Sequence, residues 1–404
     1  MDKIKVFDNF FWYSLLAFGL IVGGICFLPS LLTSYSKDYN FTATGQIGDT
    51  IGGTMGPFVG IAAAILTFLA FWVQFKANEQ QKVDLKEQRD RAHLENFQNT
   101  FFELIKLHKE NINELSYYKY DSKNVIKTEN RRVFRAIFSE FLECYREVKK
   151  YSNSIDPDSY LLPDYKLELQ TVINKKNIEA NLIELSIIDI AYSVTFFGLD
   201  NSGLTILSER FEKRYNNDYY SKLLLYLSIK PKRESEDYLA IWAAINKLKF
   251  QEFQNLLETV HKLKADKKTY DEGISALGNA LLSGKYFRKY YDGHQHRLGH
   301  YFRHLFQTYI FLDKSKDLND EQIMFYGKIL RAQLSTYEQA LLFINCVSSL
   351  GMKWELKYDT KNEKGQSTGL ISKYNLIRNL PGNNFTGIIF KNYFPNVNFE
   401  NDNE

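Results

Sequence analysis

The residues of this chain that are best suited to chemistry lie in one short segment, 293–305. Four of the seven histidines of the whole chain fall within eleven residues of it, together with Arg297. An imidazole titrates near neutral pH and can act as a general acid or base, and a guanidinium can hold a phosphate. On a helix, His296, His300 and His304 follow one another at i, i+4 and i+8. The spacing therefore predicts a basic, titratable stripe along a helix whose other faces are apolar.

One interpretation of this stripe is structural. Buried charged groups need partners, and acidic residues elsewhere in the chain could supply them: Asp271, Glu272 or Glu338. In that case the histidines and arginines hold neighbouring helices together.

A second interpretation is catalytic. Arg297, followed by six residues and then His304, fits the loose Arg-x(4–6)-His pattern of helical HEPN ribonucleases. In such a site the arginine would steady a phosphate, and His304, with His300 as a further candidate, would act as general acid or base. RNA is then a possible partner, although a net charge of +3, from 51 basic and 48 acidic residues, gives no global signal for nucleic-acid binding.

A third interpretation is a metal site, because His300 and His304 have the spacing of two ligands on one helix face. No glutamate follows His300, so the HExxH signature is absent. The three cysteines stand apart from one another, and the sequence has no phosphate-binding loop, dinucleotide-binding glycine motif or nucleophile elbow. We therefore predict no metal and no cofactor.

The elements that must position this segment begin with two uncharged apolar runs, 11–32 and 51–75. Each exceeds the ~20 residues that a helix needs to cross a bilayer. They predict a two-helix transmembrane hairpin within residues 1–75, with the lipid bilayer as a partner; the alternative is one span and one buried core helix. Basic residues precede the first run and follow the second, whereas Lys37 is the only basic residue in the loop 33–50. The positive-inside rule then places both termini in the cytoplasm.

The second run also carries small residues at every fourth position: Gly52, Gly56, Gly60 and Ala64. Such a stripe lets another helix approach closely in lipid. It could pack the two spans on each other, or it could join copies of the chain into a homo-oligomer. A further alternative starts the second helix at Gly56–Pro57, because proline suits a first turn.

The rest of the chain is predicted to be helical, since no glycine lies between Gly60 and Gly198 and no proline between Pro57 and Pro157. We predict one nearly continuous helix over 57–116, a core helix over 178–197 and single helices over 204–226 and 235–263. The fold class is all-α: the hairpin, a long helical stalk and a cytoplasmic helical domain with a minor β-hairpin or loop near the C-terminus. The predicted boundaries are 1–75 for the anchor, 76–98 for the stalk, 99–380 for the domain and 381–404 for a tail.

Four segments of the sequence carry a family resemblance across about residues 45–380. They are Gly48-Asp49 with Gly52-Gly53 and Gly56-Pro57; Phe101-Phe102-Glu103-Leu104 with His108; Ala191-Tyr192 with Phe196-Phe197-Gly198; and Gly293-His294-Gln295 with the run from Leu298 to Leu305. With them the chain resembles the phage abortive infection (AbiC-like) family of bacterial membrane proteins. The resemblance implies host defence at the inner (cytoplasmic) membrane, in which phage multiplication stops at the expense of the infected cell. It carries no catalytic residue over to this chain.

The leading hypothesis is therefore a membrane-anchored anti-phage effector, in which the helical domain senses a phage or host protein and the hairpin perturbs the membrane. Two alternatives stay open. One is a membrane-tethered ribonuclease that uses Arg297 and His304, and the other is a non-catalytic interaction scaffold.

Overall fold

The computed structural model describes residues 12, 14–27, 44–120, 125–152, 154–228, 237–283, 291–358, 360–361, 367–380 and 387–400. Two compact units divide the chain: an amino-terminal unit, Met1–Glu95, and a carboxyl-terminal unit, Asn96–Glu404. The residues that the structure describes are mostly helical, and few of them belong to strands. This confirms the prediction of an all-α fold.

The amino-terminal unit contains helix α1, Ser14–Phe27, and the first part of helix α2, Thr44–Asn113. Among the described residues α2 is the one helix long and apolar enough to cross a membrane, with an 18-residue window of mean hydropathy 2.1 that is not buried at all. Helix α1 is shorter than the ~20 residues that a span requires. Within the described residues one of the two predicted spans is therefore found, and the two-helix hairpin is not confirmed; residues 11, 13 and 28–32 of the predicted first span lie outside the described residues.

Helix α2 also begins earlier than the sequence predicted. It starts at Thr44, so that Pro57 lies inside it rather than at its first turn, and it ends at Asn113 rather than at residue 116. A proline inside a helix removes one backbone hydrogen bond. Apolar membrane helices tolerate such a loss more readily than soluble ones, because neighbouring groups and local adjustments satisfy the freed carbonyl.

The two helices of this unit share a cavity of about 190 Å³, lined by Leu20, Ile21, Gly24, Ile25, Met55 and Phe58. At about 3.6 residues per turn, Phe58 lies on the side of α2 opposite Gly56 and Gly60 of the small-residue stripe. A Cβ added at Gly52, Gly56 or Gly60 would meet no atom of the described structure within 4 Å. Within these residues, α1 therefore approaches a different face of α2 from the stripe.

The carboxyl-terminal unit begins with the last turns of α2, where Phe97, Phe101, Ile105 and Ile112 are buried at helical spacing. Strands β1, Ser116–Tyr120, and β2, Val125–Glu129, then form an antiparallel hairpin with Ser116 opposite Glu129. This hairpin was not predicted. Its residues alternate between the interior and solvent, as Tyr117 is buried and Tyr118 exposed, which is the period of a strand.

Helices make up most of the remaining chain, in this order: α3, Arg132–Tyr151; α4, Pro163–Lys176; α5, Leu182–Phe197; α6, Asn201–Phe211; α7, Asn217–Ser228; α8, Asp237–Lys247; α9, Phe250–Ala265; α10, Ala276–Ser283; α11, Gln295–Asp313; α12, Asp320–Arg331; and α13, Thr336–Val347. Short 3-10 turns span Pro157–Ser159 and Met352–Trp354. Near the C-terminus, β3, Thr360–Lys361, pairs antiparallel with β4, Ser367–Thr368, ahead of the short helices α14, Leu370–Tyr374, and α15, Phe390–Tyr393.

The centre of this unit is formed by α5 and α13, which are buried on all sides. Every residue from 185 to 196 and from 338 to 347 is buried, and a helix that is apolar all round belongs in a core. Asn181 caps α5, since its side-chain oxygen accepts the backbone N–H of Ile183 at 2.8 Å. The predicted core helix over 178–197 is therefore present, beginning at Leu182. Helices α3 and α11 pack against α5 and position the histidines of segment 293–305.

The two single helices predicted over 204–226 and 235–263 are each broken in two. The first break separates α6 from α7 because the backbone N–H of Asn216 donates to the carbonyl of Tyr160 at 2.8 Å, and Tyr215 pairs with Leu161. The second break falls ahead of Lys249, whose backbone N–H donates to Glu252 of α9 at 3.0 Å and so starts a new helix.

Candidate functional site

Two glycine turns meet at the start of α11. Gly198 has a φ of +83° and Gly293 a φ of +79°, conformations that favour glycine. Around them the backbone N–H of His294 donates to the Phe196 carbonyl at 2.8 Å, and that of Leu199 donates to the Tyr291 carbonyl at 2.9 Å. The two turns therefore hold the end of α5 against the start of α11, and they bring together two of the four motif segments.

His294 lies directly after this turn and is fully buried. Its Nε2 is 3.3 Å from Oε2 of Glu140, a buried carboxylate of α3. The same Oε2 accepts the hydroxyl of Tyr117 at 2.7 Å. Burial, reinforced by the charge of Glu140, raises the pKa of Tyr117 well above its usual value, so that the hydroxyl keeps its proton and serves as a donor.

Arg297 continues this cluster on the other side of His294. Its Nε donates to the Ser116 carbonyl at 2.7 Å, Nη1 lies 3.2 Å from His294 Nδ1, and the guanidinium carbon is 5.2 Å from the centre of the Tyr117 ring. A guanidinium can only donate, so Nδ1 of His294 accepts, and Nε2 faces Glu140 without forming a hydrogen bond to any residue that the structure describes. Burial lowers the pKa of Arg297, and the charges of Tyr117 and Glu140 oppose that fall.

The imidazole of His294 therefore lies between the carboxyl group of Glu140 and the guanidinium of Arg297 inside the protein. The four residues Tyr117, Glu140, His294 and Arg297, which we call the relay, connect β1, α3 and α11. Buried charges are tolerated when they are paired, and here Tyr117 donates to Glu140 while Arg297 donates to the Ser116 carbonyl and to His294. The relay fixes the guanidinium of Arg297 at the edge of an open cleft.

This cleft has a volume of about 360 Å³ and is lined by Asn111, Glu114, Leu115, Ser116, His296, Arg297, His300 and Tyr301. His296 and His300 are exposed on α11. Burial of part of the ring, together with the neighbouring Arg297 and His294, lowers the pKa of His296. Two of the three predicted catalytic residues, Arg297 and His300, therefore line one cleft.

His304, the third, does not line the cleft. Its Nε2 lies 3.0 Å from the Leu104 carbonyl of α2, and its ring stacks at 6.1 Å on that of His108. His108 is buried, and neither of its ring nitrogens has a hydrogen-bond partner among the residues that the structure describes. Burial lowers the pKa of His108 to about 4, with smaller contributions from His304 and Arg131. Although Arg297 and His304 share a helix face, the structure gives them separate surroundings.

The acids that the sequence offered as partners of the histidines are engaged elsewhere. Glu338 accepts the hydroxyl of Tyr301 at 2.9 Å and lies 3.7 Å from Nε of Arg131, and Asp271 pairs with Lys268 at 3.2 Å. The carboxylate that does meet a histidine, Glu140, was missed. A signal was available: Glu140 falls at helical spacing between the apolar residues 137 and 144, on the side of α3 that must be buried.

The described parts of the chain contain no group of three or more His, Cys, Asp or Glu side chains that could hold a metal ion. Comparisons with curated proteins and with solved structures gave no match.

Residues 293–385 match the family model putAbiC, which is described as "Putative phage abortive infection protein". The matched segment begins at the Gly293 turn and covers less than a quarter of the chain. It supports a role in phage abortive infection. Two motif segments outside the matched segment contact it directly. The ring of His108 stacks on that of His304, and the Phe196 carbonyl accepts the backbone N–H of His294. The segment 293–385 is therefore similar to the AbiC-like family that the sequence motifs indicated.

Proposed function

We propose that this protein is a membrane-anchored effector of phage abortive infection, in which the carboxyl-terminal unit detects infection and α2 acts at the bacterial inner membrane. The observation that carries the proposal is the family match over 293–385. The matched segment contains His294 and Arg297 of the relay and the wall of the cleft that α11 forms.

The apolar window of α2 supports the membrane part of the proposal. Its large side chains are turned outwards in the described structure, with Ile61 55%, Phe68 58% and Phe71 66% exposed. A contiguous apolar surface of this kind marks an interaction with lipid or with another protein. The basic residues after the window favour a cytoplasmic carboxyl-terminal unit, and the two-pass topology with α1 remains part of the proposal.

The small-residue stripe supports assembly into a homo-oligomer. Gly56 and Gly60 lie on the side of α2 opposite Phe58, which lines the cavity shared with α1, and a Cβ at either glycine would meet no atom of the described structure within 4 Å. A second copy of α2 could pack closely on this face in lipid. A homo-oligomer of such helices offers a route to membrane damage once infection is detected.

The proposal gives α11 a sensing rather than a catalytic role. A ribonuclease would need Arg297 and His304 to reach one phosphate, whereas Arg297 lines the cleft and His304 contacts the Leu104 carbonyl outside it. RNA that is degraded during the response would nevertheless favour the enzyme. Protection that requires a further effector protein would favour the scaffold.

The test introduces two positive charges into the apolar window of α2. The double variant Ile61→Arg/Phe68→Arg places two arginines in the apolar window, each costing roughly 2.5–3.5 kcal/mol at the centre of a membrane helix. The control, Val83→Arg/Leu85→Arg, changes two exposed apolar residues of the same helix beyond the window.

We expect the first variant to leave the membrane fraction and lose protection against phage, and the control to keep both. Depolarisation of the inner membrane in infected wild-type cells is the accompanying readout. Protection by the first variant from the soluble fraction, or an intact membrane potential in dying cells, would contradict the proposal.

A further inference from the structure

We propose that the cleft between the end of α2 and the start of α11 binds the phosphate group of a nucleotide. This inference deepens the proposed function, because the nucleotide would be the signal that the carboxyl-terminal unit detects. In this respect it rests on the proposed function. The phosphate could belong to a free nucleotide or to a strand of RNA, and a binding experiment with both kinds of probe separates these sources.

The size and the walls of the cleft suit a small polar ligand. Its volume of about 360 Å³ falls in the range of roughly 300–1,000 Å³ that is usual for small-molecule sites. Asn111, Glu114 and the Ser116 region form one wall, and His296, Arg297 and His300 form the other. Leu115 is partly exposed in this lining and adds apolar surface against which part of a ligand can pack.

Arg297 is held in place as an anion-binding group would be. Its Nε and Nη1 are engaged by the Ser116 carbonyl and by His294, whereas Nη2 makes no hydrogen bond to any residue that the structure describes. A guanidinium fixed on one side offers its remaining N–H groups to a phosphate with little loss of conformational entropy. The relay therefore prepares a donor at the wall of the cleft.

The two exposed imidazoles complete the site. His296 and His300 are one helical turn apart, about 6 Å along the axis at 1.5 Å per residue, and both line the cleft with Arg297. Each imidazole can donate an N–H to a phosphate oxygen, and hydrogen bonds to an ionised phosphate are stronger than those between neutral groups. Among the described residues of the lining, Glu114 is the one acid, so the wall formed by α11 favours an anion.

The position of the cleft indicates what binding would do. Asn111 belongs to the last turn of α2, and this end of the helix is anchored in the core by stacking of Phe97 on Phe311 at 5.2 Å. A ligand in contact with both Asn111 and Arg297 would join the end of α2 to the start of α11. The ligand would thus act where the helix that carries the apolar window meets the segment matched by the family.

The experiment measures binding to the purified full chain in detergent micelles by isothermal titration calorimetry. The probes are inorganic phosphate, the four nucleoside 5′-monophosphates and an unstructured oligoribonucleotide. The variants are His296→Gln/His300→Gln, Glu114→Gln and, as a matched control, His261→Gln, which changes an exposed histidine of α9 outside the cleft. Circular dichroism checks that each variant is folded.

We expect at least one nucleotide probe to bind, about tenfold more weakly to the double histidine variant because two donors to the anion are lost. Glu114→Gln should strengthen binding about threefold because it removes a nearby negative charge, and His261→Gln should behave as wild type. Binding of the monophosphates identifies a free nucleotide as the source, and binding of the oligoribonucleotide alone identifies RNA.

Three results would overturn the inference: no probe binds, the cleft variants bind as the control does, or inorganic phosphate binds as tightly as every nucleotide. Phage protection by the same variants is scored separately. Protection without nucleotide binding would refute only this inference, whereas binding without any protection by the wild type would refute only the proposed function.

Discussion

Replacing Gly293 by alanine tests whether the two glycine turns hold the site together. The φ of Gly293 is +79°, and a Cβ built on it would lie 2.5 Å from the carbonyl oxygen of Phe197. That oxygen belongs to the backbone at the end of α5, in a core helix that cannot give way cheaply. Gly293→Ala must therefore separate the turns, strain the backbone, or do both.

The magnitude follows from three contributions. A positive φ costs a non-glycine residue about 1–2 kcal/mol, and forcing an extra carbon into a packed site costs typically 1–3 kcal/mol. The hydrogen bond from the His294 N–H to Phe196, if it is lost, contributes about 1 kcal/mol more. We expect Gly293→Ala to lower the free energy of unfolding by about 3–6 kcal/mol, which for a unit of this size is a fall in Tm of roughly 5–9 °C.

The assay is thermal unfolding of the full chain in detergent, followed by circular dichroism, with Gly387→Ala as the control. Gly387 has a similar φ, +76°, but a Cβ there meets no atom of the described structure within 4 Å. In the control, alanine has the unfavourable positive φ but its Cβ meets no described atom. Its free energy of unfolding should therefore fall by only about 1–2 kcal/mol. If the two variants melt at the same temperature, the close contact between the turns does not contribute to stability and the reasoning is refuted.

Four further predictions concern single side chains of the same unit. Gly299→Ala should raise Tm by about 1–2 °C, because alanine favours a helix by roughly 0.5–1 kcal/mol over glycine and the nearest atom is at an ordinary contact distance of 3.5 Å; a fall in Tm would contradict this. Glu140→Gln should cost about 2–3 kcal/mol in chemical denaturation, because it removes the buried negative charge of the relay; an unchanged midpoint would show that the relay does not stabilise the fold. The pKa of His108 is about 4 in the fold against 6.5 when unfolded, so the unfolded chain binds the proton more tightly and stability should fall by roughly 2–3 kcal/mol as the pH drops from 6.5 to 4; His108→Leu should flatten this part of the stability–pH curve. His304→Gln should keep phage protection within about threefold in a plaque assay, whereas a general acid or base at this position would contribute 10²–10⁴-fold.

The fold class could be predicted because composition and periodicity are local properties. The absence of glycine and proline over long stretches favours helix, and α5 follows from its run of large aliphatic residues. The break between α6 and α7 could not be predicted in this way. It depends on a backbone hydrogen bond from Asn216 to Tyr160, more than fifty residues earlier, and periodicity does not report on such distant pairing.

The site was predicted only along its own helix. Spacing placed Arg297, His300 and His304 on one face of α11, and the structure confirms that the segment is helical. Spacing could not show that a carbonyl of α2 engages His304, or that Glu140 reaches His294 from α3. Partners from other helices decide which histidine faces a cleft and which is fixed in the interior.

The measurement that tests the central claim most directly is a one-step phage growth experiment in cells that carry the wild-type chain or the Ile61→Arg/Phe68→Arg variant at matched abundance. It counts both the phage released per infected cell and the infected cells that survive. The account predicts that the wild type lowers phage release without rescuing the infected cells, and that the variant restores release. Survival of the infected cells, or equal phage release with and without the protein, would contradict it.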